Sequence, residues 1–153
     1  MTTSGKQQLD EKMPQIGESC LTYFSQVNVH CKKEFHVPFA AVGLREGRHL
    51  HLYFAQGQQQ RLLVEDSICG LPLSIPGEQI IINDLHSLPE EFQPQLAAAL
   101  GIRSYIGIPL FVQQELVGSL NLADLRPRQF LQPEVQKLKH RAQWLSHLVD
   151  LYL

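Results

Sequence analysis

The side chains that could carry out chemistry in this 153-residue chain are few and lie far apart in sequence. Three cysteines, Cys20, Cys31 and Cys69, could act as redox thiols, but their number and spacing do not indicate a disulfide framework. Each is explained more simply as a packing residue, because a buried thiol behaves as a small apolar side chain. Free thiols are typical of a reducing compartment, so we expect a cytoplasmic protein.

A few other polar side chains could bind a ligand or a metal ion. His49 and His51 project from the same side of a predicted strand, but no third ligand accompanies them, so we expect no metal site. Asp84 could hydrogen-bond a ligand or accept backbone N–H bonds from the following loop. Arg103 could pair with an anionic ligand or with Asp84 or Asp124. The sequence leaves these alternatives open, although exposed ion pairs form readily and favour a structural role for Arg103.

Composition and motif content exclude several classes of function. The net charge of −2, from 13 Lys and Arg against 15 Asp and Glu, argues against a nucleic-acid partner, which needs clustered basic residues. No apolar run approaches the length of a membrane span, so we expect no membrane partner. A nucleophile elbow, a phosphate-binding loop and an HExxH sequence are all missing, so we expect no enzymatic activity. Length and composition predict one globular domain over residues 1–153.

The first predicted element is a helix over residues 7–35. Its apolar residues recur at alternating intervals of four and three, the spacing of one helical face. Because a proline in a helix interior removes a hydrogen bond, we expect the firm helix to begin near Pro14 or Ile16. The preceding residues, 1–12, should be frayed or separately helical. The helix should end before Pro38, since a proline disfavours the α conformation in the residue before it.

Alternating apolar residues predict two β-hairpins and one further strand. Residues 39–45 and 49–55 are joined by a short turn, and so are residues 104–112 and 116–124. The apolar run at residues 79–83 predicts a buried strand. Because both hairpins join neighbouring strands, the sheet should be largely antiparallel.

The segments between these strands are less regular. A glycine followed by three glutamines predicts a loop at residues 57–60, and glycines and prolines exclude a long element from residues 61–78. Residues 88–100 have the composition of a short helix, which Pro94 interrupts and Gly101 caps.

The strongest predicted helix covers residues 132–153, because apolar residues repeat along it at intervals of three and four. A second apolar stripe, formed by Trp144, Leu148 and Leu151, adjoins the repeat. Two stripes indicate two contacts, so we expect this helix to serve as a dimer seam or to continue into an effector domain as a signalling helix. The residues assigned to this role are Val135, Leu138, Ala142, Leu145, Val149 and Tyr152.

Together these elements predict an α+β fold in which both terminal helices cover one face of an antiparallel sheet of five to six strands. Loops and short helices should then cover a pocket on the opposite face. Along residues 116–124, large side chains should face the helices and smaller or more polar ones the pocket. The first set is Leu116, Leu120 and Leu122, and the second is Val117, Ser119, Asn121 and Ala123.

Five short motifs between residues 66 and 130 resemble the GAF domain family, which is related to PAS domains. They lie in the strings DSICGLPLSIPGEQIIINDL, GIRSYIGIPL and ELVGSLNLADLRPRQF. The resemblance implies a small sensory or regulatory module with a small-molecule pocket. The residues that it implies for this pocket are Ile68, Cys69, Asp84, Arg103, Tyr105, Ser119 and Asn121.

The sequence departs from three activities known in this family. In the five-residue signature of members that bind cyclic nucleotides, only Phe130 and Glu134 match, so we do not expect a cyclic nucleotide. Covalent bilin attachment in the usual region is excluded, because residues 84–112 contain no cysteine. Free methionine-R-sulfoxide reductase needs a catalytic and a resolving cysteine. Cys69 matches one of them, but the segment QPQLAAALGIRS lacks the catalytic one.

We therefore expect a non-catalytic sensory domain that binds an unidentified small molecule and signals through its terminal helices as a homodimer. Its partner in signalling would be a fused or a separate effector domain. One alternative is a degenerate domain that acts only in dimerisation or docking because its own side chains fill the pocket. The side chains bulky enough to do so are Pro72, Leu73, Ile75 and Tyr105. A redox enzyme similar to free methionine-R-sulfoxide reductase is the third possibility.

Overall fold

The computed structural model describes the backbone of residues 5–152 and the side chains of residues 20–152. Within these residues a six-stranded sheet has only antiparallel neighbours, which confirms the predicted fold class. Its strands are β1 (Phe39–Glu46), β2 (His49–Phe54), β3 (Gln59–Leu63), β4 (Ile80–Ile82), β5 (Ser104–Val112) and β6 (Glu115–Asp124). They lie in the order β3-β2-β1-β6-β5-β4.

Two long helices, α1 (Gly5–Phe35) and α4 (Gln132–Leu151), pack on the same face of the sheet, as predicted. Two short helices, α2 (Leu71–Ser74) and α3 (Gln95–Ala99), lie on the opposite face. We call the face under α1 and α4 the helix side and the opposite face the cavity side. No helix within residues 5–152 is long and apolar enough to cross a membrane.

Helix α1 begins earlier than the sequence indicates. It is continuous from Gly5 through Pro14, whereas the pattern predicts a firm start near Pro14 or Ile16. The residues before the proline are mostly strong helix formers, such as Lys, Gln, Glu, Leu and Met, and the proline removes only one hydrogen bond. Of the stretch predicted to be frayed, residues 1–4 lie outside the described part of the chain.

The larger apolar core lies on the helix side. Leu138, Ala142 and Leu145 of α4 pack with alternate residues of the central strands, among them Ile108 and Leu120. Helix α1 adds a buried stripe of Cys20, Phe24, Val27, Cys31 and Phe35. Burial of each large apolar side chain contributes roughly 1.5–3 kcal/mol, so this core holds both helices firmly on the sheet.

The cavity side has a smaller apolar core, built from the intervening residues of the same strands. Ala41, Leu52 and Ala123 belong to it, together with residues of the covering segments 64–74 and 85–102. The irregular segments of the sequence therefore cover this face, as predicted.

Two edge strands differ from their predictions. Residues 59–63, predicted as loop and irregular chain, form β3, because pairing with β2 outweighs the weak strand propensity of the glutamines. Strand β4 is half-exposed and not buried, since it lies at the other edge of the sheet, next to β5. Its central residue, Ile81, is 36% exposed.

A β-bulge in β6 reverses two predicted side-chain assignments. Leu110 pairs with Gly118, whereas the next residue, Phe111, pairs with Leu116, so Val117 is an extra residue. Because side chains alternate along a strand, this residue moves Leu116 to the cavity side and places Val117 on the helix side. The other residues of β6 named in that prediction lie on their predicted sides.

Candidate ligand-binding site

A cavity of about 280 Å³ lies on the cavity side, between the sheet and the segments that cover it. The sheet forms its floor, and residues 67–69 and 96–102 form most of its remaining walls. The walls are mainly apolar. Central lining residues are Ala41, Leu52, Cys69, Ala97, Tyr105 and Asn121.

Small residues keep the floor of the cavity open. Ala41 of β1 and Ala123 of β6 place only methyl groups there. Gly107 of β5 has a different role, because a Cβ atom at this position would collide with the Tyr105 hydroxyl group and lie 2.7 Å from Cγ of Pro72. Glycine at position 107 therefore allows the Tyr105 ring to lie along the strand.

Helix α3 forms one wall of the cavity. Pro94 separates it from a turn of 3-10 helix at Glu90–Phe92, so the helix predicted here is divided into two. Gly101, with a φ of 78°, ends α3 as predicted. The N–H of Gly101 donates to the carbonyl group of Ala98, and that of Ile102 to the carbonyl group of Ala97.

The α3 wall presents apolar side chains to solvent. Ala97 is buried, but Leu96 is 43% exposed and Leu100 is 65% exposed, although both line the cavity. A molecule bound against these leucines would remove apolar surface from water, a gain of roughly 25 cal/mol per Å².

A buried hydrogen-bond network connects the floor to the covering layer. The Tyr105 hydroxyl donates to Oδ1 of Asn121 at 2.5 Å, and Nδ2 of Asn121 donates to Oγ of Ser119 at 2.9 Å and to the Ala41 carbonyl at 3.2 Å. The Ser119 hydroxyl then donates to the Cys69 carbonyl at 2.9 Å. Burial raises the pKa of Tyr105 well above its usual value, so its hydroxyl keeps the proton that the network needs.

Cys69 carries the most reactive type of side chain in the cavity lining, but its surroundings make this thiol a poor nucleophile. Its N–H donates to the Ser67 hydroxyl oxygen at 3.1 Å. Burial raises the pKa of the Cys69 thiol to about 12, so the nucleophilic thiolate is scarce at neutral pH. The other two cysteines, Cys20 and Cys31, lie in the core on the helix side, where neither can resolve an intermediate on Cys69.

A sequence model of the GAF domain family matches residues 24–148, a range that includes all six strands and most of α4. The chain belongs to the GAF domain family. No curated protein matches its sequence.

Solved structures share this GAF fold at low sequence identity. The GAF domain of Acinetobacter phosphoenolpyruvate-protein phosphotransferase superposes with a TM-score of 0.69 and 14% identity over 97% of this chain and 94% of that chain. Free methionine-R-sulfoxide reductase from Neisseria meningitidis in complex with its substrate superposes with a TM-score of 0.68 and 19% identity over 98% of this chain and 93% of that chain. The blue-light absorbing form of the Thermosynechococcus elongatus PixJ GAF domain superposes with a TM-score of 0.70 and 14% identity over 87% of this chain and 86% of that chain. Such similarity establishes the fold and not a shared activity.

Five of the seven residues predicted for the pocket of this GAF domain come together in the structure. Four of them line the cavity: Ile68, Cys69, Tyr105 and Asn121. Ser119 lies directly behind them, where it is buried and joins Asn121 to the Cys69 carbonyl.

The remaining two, Asp84 and Arg103, lie outside the cavity lining and pair with each other. Nε and one terminal nitrogen of Arg103 each donate to Asp84 at 2.9 Å. Asp84 also accepts the N–H of His86 at 3.0 Å, so it fills the capping role and the ion-pair role at once. The Arg103 hydrogen bonds hold the pKa of Asp84 below its usual value, with a smaller contribution from the His86 N–H.

The seam predicted on the C-terminal helix is part of the domain core. Its first five residues, from Val135 to Val149, are at most 3% exposed, whereas Tyr152 is 39% exposed and follows the end of α4. On the neighbouring stripe, Trp144 is 48% and Leu151 81% exposed, whereas Leu148 packs against the core.

Sequence reasoning missed the cavity residues on β1, β2 and α3. Ala41, Leu52 and Ala97 line the cavity but carry no polar group that would attract attention. The available signal was the small size of Ala41 and Ala123, which lie on the cavity side of neighbouring strands.

Proposed function

We propose that this GAF domain is a non-catalytic regulatory module that binds a small molecule in the cavity. The cavity itself supports the proposal, because about 280 Å³ of space remains beside the Tyr105 network. Leu96 and Leu100 line this space and are exposed, so a bound molecule could cover their apolar surface. Ligand pockets are typically concave and mostly apolar, with a few fixed polar groups.

The same space weakens the alternative of a degenerate domain with a filled pocket. Tyr105 and Pro72 are buried over Gly107, and Leu73 is buried as well, but Ile75 is 48% exposed. None of these side chains except Tyr105 lines the cavity. The proposal of a non-catalytic role is supported by Cys69, because its protonated thiol has no second cysteine on the cavity side within the described residues.

A route from the cavity to the terminal helices exists within the strands. Asn121 lines the cavity, and its neighbours Leu120 and Leu122 belong to the core under α1 and α4, with Leu122 also bordering the cavity. A ligand that shifts β6 would therefore shift both helices. We propose that the domain signals in this way as a cytoplasmic homodimer, with the exposed Trp144 and Leu151 in the contact between copies.

Light scattering at high micromolar concentration tests the dimer. We expect twice the monomer mass for the unchanged chain and the monomer mass for Trp144→Glu. Gln143→Glu, at the preceding exposed position of α4, is the control and should remain dimeric. An unchanged chain with the monomer mass would contradict this part of the proposal.

Ligand binding is tested by native mass spectrometry of the purified protein, followed by a thermal-shift panel of neutral and charged fragments. Ala97→Leu places a larger side chain in the cavity, whereas Ala98→Leu makes the same change on the exposed, non-lining face of α3. We expect Ala97→Leu to abolish a retained mass or a fragment-induced shift, and Ala98→Leu to preserve it. Equal responses from both variants would contradict binding in the cavity.

A further inference from the structure

We propose that the cavity takes an uncharged, mainly apolar molecule of about ten to fifteen non-hydrogen atoms, the size that fits its 280 Å³ at the packing density of protein interiors. This inference rests on the proposed function and adds the chemical class of the ligand.

The charge of the ligand follows from the lining. Among the described residues that line the cavity, none is Asp, Glu, Lys, Arg or His. Its two titratable groups stay neutral, since burial raises the pKa of Cys69 to about 12 and that of Tyr105 well above its usual value. A charged ligand would lose its hydration without gaining an opposite charge, which disfavours it strongly.

The nearest predicted anion partner is already occupied. Arg103 immediately precedes β5, but two of its N–H groups are hydrogen-bonded to Asp84 at 2.9 Å. A carboxylate or phosphate ligand would have to break this pair and also draw the guanidinium group into an apolar cavity. Both steps oppose the recognition of an anion.

Hydrogen bonding to a ligand is also limited, because the donors of the buried network are already used within the protein. The Tyr105 proton is donated to Asn121, and the Asn121 amide group is hydrogen-bonded to Ser119 and Ala41. The Tyr105 side chain is fully buried, so the other polar side chains that the lining offers to a ligand are Ser67 and Gln60, both neutral. A ligand with a single neutral hydroxyl group therefore matches the polar capacity of the cavity better than one with several polar groups.

The rim supports an apolar ligand independently. Leu96 and Leu100 are 43% and 65% exposed beside the cavity, and contact with a hydrocarbon or aromatic surface would bury them. No comparable gain is available to a strongly hydrated molecule.

Three near-isosteric probes of the right size test this inference at neutral pH: cinnamyl alcohol, cinnamate and cinnamylammonium. We expect titration calorimetry to show that the alcohol binds at least about tenfold more tightly than either ion. Ala97→Leu should weaken the alcohol about tenfold or more, and Ala98→Leu should leave it unchanged.

The outcomes separate this inference from the proposed function. Tighter or equal binding of an ion, still weakened by Ala97→Leu, would overturn the ligand class and keep the cavity as a binding site. Failure of all three probes would overturn the proposed class and size of the ligand, while the fragment panel would still judge the proposed function. Alcohol binding that Ala97→Leu does not weaken would overturn both.

Discussion

On the helix side of the sheet, Leu120 and Leu122 lie under α1 and α4 in a core of large apolar side chains. On the cavity side, the residues between and beside them include Ser119 and Asn121, which form a hydrogen-bonded network next to open space. The side chains of one strand thus fill the core on the helix side and leave a cavity on the other side. Alternation along one strand therefore places a packed core on one side of the sheet and the candidate binding cavity on the other.

The largest expected effect is on the helix side. Leu145→Ala should lower the free energy of unfolding by about 2–5 kcal/mol, because Leu145 is fully buried and its removal leaves a void between α4 and the sheet. Urea denaturation measures this loss. Leu100→Ala, the same change at a 65% exposed position beside the cavity, should stay within about 0.5 kcal/mol of the unchanged chain. Similar losses at both positions would remove the contrast between a closed face and an open one.

The network on the cavity side should give an intermediate effect. Asn121→Ala leaves the Tyr105 hydroxyl without its acceptor, and Tyr105→Phe leaves Oδ1 of Asn121 without its donor. Each variant should lose about 1–3 kcal/mol of unfolding free energy in urea. The double variant should lose less than the sum, since the two groups act as one unit. Strict additivity would show that the Tyr105 hydroxyl and the Asn121 amide do not stabilise the fold through their mutual hydrogen bond.

The smallest effect is expected outside both faces, at the Asp84–Arg103 pair. Since the folded state lowers the pKa of Asp84, its ionised form stabilises the fold above the unfolded value of about 4. This contribution is lost as the pH falls through the lower, folded pKa. Asp84→Asn should therefore be slightly less stable than the unchanged chain at pH 7 and equally stable in strong acid.

Thermal denaturation over a pH series measures this difference. Asp66→Asn, at an exposed aspartate, is the control. A difference between the unchanged chain and Asp84→Asn that grew as the pH fell would contradict the assigned ion pair.

The sequence was most informative where one physical signal dominated. The antiparallel hairpins and both terminal helices follow from period-two and period-three-to-four patterns. The same patterns failed at Val117, because a bulge shifts the alternation without leaving a mark in residue types. They failed again at residues 59–63, where pairing with β2, and not local propensity, makes the strand.

The candidate site was predictable in part for a similar reason. Family motifs drew attention to polar residues such as Tyr105 and Asn121, which do line the cavity. They also drew attention to Asp84 and Arg103, whose mutual pairing depends on how the loop of residues 85–102 closes. Apolar walls such as Leu52 carry no chemical signal, so only the three-dimensional arrangement identifies them.

The strand order has a consequence for how this domain is made. Strand β1 pairs with β6, with Phe39 opposite Ala123 and Leu44 opposite Gly118, so about half of the described chain lies between the two central strands. During synthesis, one edge of β1 stays unpaired until β6 has emerged from the ribosome. Contacts of such sequence separation slow folding, and an unpaired edge invites association with other chains. The centre of the sheet therefore forms late in synthesis, and until then the unpaired edge of β1 is open to misassembly.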